Sequence, residues 1–133
     1  GDMVRIAPAP SEVIDVVPSG RLYLDGSILT DAKENATRDR RKAAYNGVVF
    51  VAVPLDAANR LAGHIEVETV GLPQNDGVVK LADWVLDAVE RAIPSSGKLT
   101  LERAENDIRI AVKREMKRRW GKKPIVAVSF VDV

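Results

Sequence analysis

Cysteine is absent from the 133 residues of this chain. That excludes a disulfide framework and thiolate metal sites, and it suits a reducing compartment. Histidine occurs once, at His64. A hydrolytic zinc site draws on several His and carboxylate ligands at close spacing, which His64 beside Glu66 and Glu68 does not supply. Polar and apolar residues alternate there, as in a strand with one wet face. No apolar run approaches the roughly 20 residues of a membrane span. There is no Gly-rich phosphate cradle, and no serine is placed for nucleophilic attack. No catalytic residue, cofactor-binding residue or metal ligand is therefore assigned to this chain. Asp83, Asp87 and Glu90 lie along one helical side and read as a solvated face. The start, Gly1-Asp2-Met3-Val4-Arg5, lacks signal-peptide anatomy. Two residues precede Met3, so a tag remnant and a cut within a longer protein are both open.

What is present is an ordinary globular composition, with 46% hydrophobic and 29% charged residues. A chain of this length makes one domain, or one domain and a piece of another. It can bury about two thirds of its unfolded surface without staples. The formal net charge of +1 hides an asymmetry. From Lys98 onward there are 10 basic and 5 acidic residues, against 10 basic and 14 acidic before it. The C-terminal quarter is positive and the rest negative, an asymmetry that suits a polyanion or acidic partner. A solvated helix face that aids solubility is the other explanation.

Residues 1–30 read as short strands with turns: Met3 to Ala7, Val13 to Val17, and Arg21 to Leu24 ahead of an Asp25-Gly26 turn. They form no core of their own and look like the edge of a larger sheet. Residues 31–46 read as a polar linker with a short helix near Thr37 to Tyr45, closed by Asn46-Gly47. Gly47 to Leu55 is a near-continuous apolar strand, expected to be buried on both faces. A turn spans Asp56 to Arg60. His64 to Val70 is a second strand, with Ile65, Val67 and Thr69 on one face.

Val78 to Ile93 is an amphipathic helix whose stripe is Leu81, Trp84, Val85, Ala88, Val89 and Ala92. Trp84 is placed in the core. A second helix starts after Thr100, a candidate N-cap, with Leu101, Ala104, Ile108, Ala111 and Val112 as its buried stripe. Cations fill its last turns, Gly121 stops it and Pro124 follows. Ile125 to Val131 is the closing strand. The expected fold is α+β: residues 47–133 form a ββααβ domain, a three-stranded sheet covered on one face by two helices.

The basic stretch offers Arg114, Lys117, Arg118, Lys122 and Lys123 as candidate RNA contacts where the second helix meets the final strand. Lys117, Arg118 and Lys122 are expected to face solvent. Trp120, next to them, either stacks on a base or seals the helix end against the sheet.

Several blocks, in order, resemble the ribonuclease J family. Gly1-Asp2-Met3-Val4 is similar to the segment after that family's last active-site histidine motif. Gly20-Arg21-Leu22-Tyr23-Leu24-Asp25-Gly26 resembles the strand and turn that end its metallo-β-lactamase domain. Arg38-Asp39-Arg40-Arg41-Lys42, leading to Asn46-Gly47-Val48-Val49, resembles the opening of its C-terminal domain. Gly121-Lys122-Lys123-Pro124-Ile125-Val126 resembles its closing strand. Ser27-Ile28-Leu29-Thr30-Asp31 departs from the family's Gly-rich pattern, and Thr69-Val70-Gly71 departs from its Ser-Arg-Gly.

The resemblance implies a cytoplasmic RNase of the metallo-β-lactamase/β-CASP type, which degrades and matures RNA at a two-zinc site. It acts as both endonuclease and exonuclease. Every ligand of that site belongs to motifs upstream of Gly1, so no cofactor is expected in this fragment. On this reading residues 1–30 close the catalytic domain, 31–46 link, and 47–133 support homo-oligomerisation and contact RNA. The fragment alone is expected to be inactive. A free-standing protein–protein interaction domain without nuclease association is the alternative.

Overall fold

A computed structural model describes residues 2–5, 12–16, 22–31, 35–75, 77 and 80–133. The chain divides into two compact units, Gly1–Asp39 and Arg40–Val133. In the first, β1 (Asp2–Arg5) pairs antiparallel with β2 (Glu12–Val16), with an irregular register between Met3 and Val4. The expected strand ends at Ile6, Ala7 and Val17 lie outside the described residues. β3 (Leu22–Asp25) and β4 (Ile28–Asp31) form a second antiparallel pair, with Asp25 opposite Ile28. Gly26, at φ +60°, takes the first position of the two-residue turn, where a twisted hairpin requires the left-handed region. The sequence reading found this turn but not the returning strand β4. Leu22, Leu24, Ile28 and Leu29 of the hairpin are all exposed.

α1 (Asn35–Asn46) begins in the first unit and ends in the second. Gly47 then breaks the helix and opens β5 (Val48–Leu55). It adopts φ +75°, and a Cβ there would overlap Leu72 Cδ1 and stand 3.0 Å from the carbonyl oxygens of Val70 and Gly71. Only glycine lets the chain turn at this point. The Gly47 carbonyl accepts a hydrogen bond from the Ile125 amide at 3.0 Å, which fixes where the last strand enters the sheet.

The second unit is the expected α+β fold. Its three-stranded sheet has the order β6-β5-β7. β5 is central: antiparallel to β6 (Glu66–Val70) and parallel to β7 (Ile125–Asp132). A parallel return needs a long crossover. α2 (Leu81–Ala92) and α3 (Leu101–Trp120) supply it, packing on each other, with α2 against β6 and α3 against β7. Val49, Val51, Val53 and Leu55 of β5 meet Leu81, Val85 and Val89 of α2 and Ile108, Val112 and Met116 of α3 in one core. Each such aliphatic side chain contributes about 1.5–3 kcal/mol on burial.

β5 is not buried on both faces. Val49, Val51, Val53 and Leu55 are buried while Phe50 is 45% exposed, because the two helices lie on the same side of the sheet. The open face carries Phe50, Val70 and Val131, all exposed, with Glu66 and Glu68 along β6. The helical stripes also differ in detail. Trp84 is half-buried at the core margin, and Leu101 is exposed at 36%. Glu115 and Met116 carry the buried stripe of α3 further than the apolar pattern indicated. Thr100 is extended at the N-cap position of α3, without a side-chain capping hydrogen bond.

Candidate nucleic-acid interface

The basic end of α3 is built around one carboxylate. Glu115 is a buried charged residue, at 8% exposure. Arg118 donates to it twice, from Nη2 to Oε1 at 2.6 Å and from Nε to Oε2 at 3.4 Å. Arg119 Nε donates to the same Oε1. Arg91 of α2 comes within 3.8 Å of it while pairing with Asp87 at 2.7 Å. The hydrogen bonds from Arg118, and then those from Arg119, outweigh the desolvation of the site and hold the Glu115 carboxyl below its ordinary pKa. The same contact raises Arg118 above its ordinary value. The Arg119 guanidinium lies 5.3 Å from the centre of the Trp84 ring, so it bridges α3 to α2 as well.

α3 stops where its signals say it should. Gly121 is left-handed at φ +86°, and its amide donates to the carbonyls of Met116 and Lys117. Lys117 reaches back from Nζ to the Gly121 carbonyl at 3.1 Å. A cation on the last carbonyls favours the helix dipole. Beyond the cap, Lys122 turns toward α1. Its Nζ donates to the Tyr45 carbonyl at 3.1 Å, and it lies 4.3 Å from the centre of the Tyr45 ring and 5.5 Å from that of Trp120. Trp120 is half-buried and packs against the core, so it seals the helix end.

The five candidate contacts thus share one end of the domain, in different circumstances. Arg114, Lys117, Arg118 and Lys123 are exposed. Lys122 is half-buried and held by α1, a correction to the expectation that it faces solvent. Sequence reasoning missed Glu115 as the organiser. A lone Glu spaced three and four residues before two arginines was the available signal.

Among the described residues no three His, Asp or Glu side chains gather to hold a metal ion. His64 is exposed on the way into β6. The described residues do not fit a zinc pair. Among the described residues no helix is long and apolar enough to cross a membrane.

The geometry defines an α+β domain with one helix-covered sheet and a positively charged corner. Residues 35–133 match the ribonuclease J C-terminal domain, and the chain belongs to the ribonuclease J family. It is 39% identical to ribonuclease J of Sinorhizobium meliloti, over all of this chain and 24% of that protein. Ribonuclease J of Thermus thermophilus is 30% identical, over 99% of this chain and 22% of that protein. Ribonuclease J2 of Bacillus subtilis is 21% identical, over all of this chain and 25% of that protein. The chain spans about a quarter of the length of the curated relatives it matches.

Proposed function

We propose that this chain is the non-catalytic C-terminal part of a ribonuclease J-type, zinc-dependent RNase that degrades and matures RNA in the cytoplasm. The observation that carries the reading is the family match over residues 35–133 in a chain about a quarter as long as its relatives. Residues 1–30 close the catalytic metallo-β-lactamase domain, residues 31–46 link, and residues 47–133 are the accessory domain. The exposed apolar hairpin supports the first assignment, because Leu22, Leu24, Ile28 and Leu29 are what a strand pair of a larger sheet presents. The zinc ions belong to the upstream catalytic domain of the same chain.

The accessory domain has two tasks in this reading. The first is assembly of a homo-oligomer. The uncovered sheet face with Phe50, Val70 and Val131 supports it, since exposed apolar patches mark contact surfaces. The second is RNA contact through Arg114, Lys117, Arg118, Lys122 and Lys123. Seven cations and one carboxylate between Lys113 and Lys123 give a strongly positive corner. Salt-bridged arginines at such a corner still offer N–H groups to phosphate oxygens.

The test removes residues 47–133 from the parent enzyme and compares it with the intact protein. Loss of assembly in sedimentation, together with weaker RNA binding at low salt, is expected. An unchanged oligomer and unchanged RNA affinity contradict the reading.

A further inference from the structure

We propose that Tyr45 is a stacking platform for a base of single-stranded RNA, at a site shared between α1 and the α3–β7 corner. The proposal rests on the RNA reading above and adds to it a residue and a mode of contact.

Tyr45 is 70% exposed, against 45% for Phe50. It nevertheless has a neighbour that restrains it. The Lys122 ammonium sits 4.3 Å from the ring centre and donates to the carbonyl of the same residue at 3.1 Å. One side of the ring therefore faces a cation, and its high exposure leaves the other open to solvent. A ring already held in position loses little freedom when a ligand stacks on it.

The surroundings suit a nucleic acid. Arg41 and Lys42 precede Tyr45 by four and three residues on α1, so they share its face of the helix, and both are exposed. Lys123, also exposed, follows the clamping lysine directly. Two basic stretches far apart in sequence are thereby joined around one open ring. Cations that track the phosphates, with an aromatic ring for the bases, are the recurring means of binding single strands without sequence preference. Phe50 is also exposed, but Glu66 and Glu68 lie on its face of the sheet and repel phosphate.

The test measures binding of a labelled single-stranded RNA dodecamer to this chain at low salt, beside an abasic oligomer with the same number of phosphates. Wild type, Tyr45→Ala and Tyr45→Phe are compared, with circular dichroism to confirm folding. Tyr45→Ala keeps the main-chain carbonyl that Lys122 bonds, and Tyr45→Phe keeps the ring. Tyr45→Ala is expected to weaken RNA binding roughly ten-fold with an unchanged salt slope, and Tyr45→Phe to bind like wild type. The abasic oligomer should bind wild type no better than RNA binds Tyr45→Ala. If wild type binds RNA and Tyr45→Ala binds it equally, the stacking site is refuted while the RNA reading stands. If wild type binds neither oligomer, the RNA reading fails and the stacking site falls with it.

Discussion

The guanidinium of Arg118 grips the carboxylate of Glu115 three residues earlier on α3, with two hydrogen bonds, the shorter at 2.6 Å. That pair turns part of the basic cluster into internal structure. It also makes the domain sensitive to acid. Glu115 titrates below its ordinary value in the folded state, so it binds fewer protons there than in the unfolded chain. Its stabilisation is complete above the unfolded glutamate pKa of about 4.3 and is lost as pH falls through the lower folded value. Thermal unfolding followed by circular dichroism should show Tm falling below about pH 4. Glu115→Gln should lower stability at pH 7 by about 1–2 kcal/mol, the scale of charge-assisted hydrogen bonds lost. It should also flatten the acid limb of the curve. An acid limb identical to that of wild type contradicts this account of the cluster.

Gly47 makes a second, steric prediction. A methyl group there meets the Leu72 side chain and two carbonyl oxygens, on a backbone at φ +75°. Gly47→Ala should cost about 1–3 kcal/mol, seen as a lower urea midpoint. Gly121 shares the left-handed conformation but has nothing within 4 Å of its would-be Cβ, so Gly121→Ala should cost less. Equal losses at the two sites would remove the steric part of the argument.

The open sheet face predicts self-association. Sedimentation equilibrium at tens of micromolar should find a dimer or larger assembly. Phe50→Ser with Val131→Ser should shift it toward monomer. Both positions are about half exposed, so monomer stability should fall by only about 1 kcal/mol each. A wild type that is monomeric at these concentrations refutes the assembly role.

The chain alone should not cleave RNA. Incubation with 5′-monophosphorylated RNA and Zn²⁺ or Mn²⁺ should leave the substrate intact. Turnover that survives purification and disappears on mutating a residue of this chain would show that it carries a nuclease site of its own.

Much of the C-terminal domain was legible because its signals are local. The apolar spacing of Leu81, Val85 and Val89 gave α2, and Gly121 gave the end of α3. The rest depended on neighbours that sequence spacing does not reveal. A run such as Val48 to Val53 reads as doubly buried, yet both helices cross on one side and leave Phe50 uncovered. Glu115 reads as a solvated charge until the folded helix brings Arg91, Arg118 and Arg119 around it. The basic cluster itself was legible from composition. The clamp from Lys122 to Tyr45, 77 residues apart, was not, because only the parallel return of β7 beside β5 brings them together.

The most direct measurement of the central claim is the salt dependence of RNA binding by this chain. Fluorescence anisotropy with a labelled single strand, from low to physiological salt, compares wild type with Arg114→Glu, Lys117→Glu and Lys123→Glu combined. These side chains are exposed and leave both the Glu115 cluster and the Lys122 clamp in place. Wild type should bind weakly and without sequence preference, with affinity falling steeply because added salt reduces the gain from releasing counterions on binding. The triple variant should bind more weakly at every salt, and its slope should fall by about one for each contact removed. Equal affinity and equal slope for the two proteins would contradict the account and leave the cluster a purely structural element.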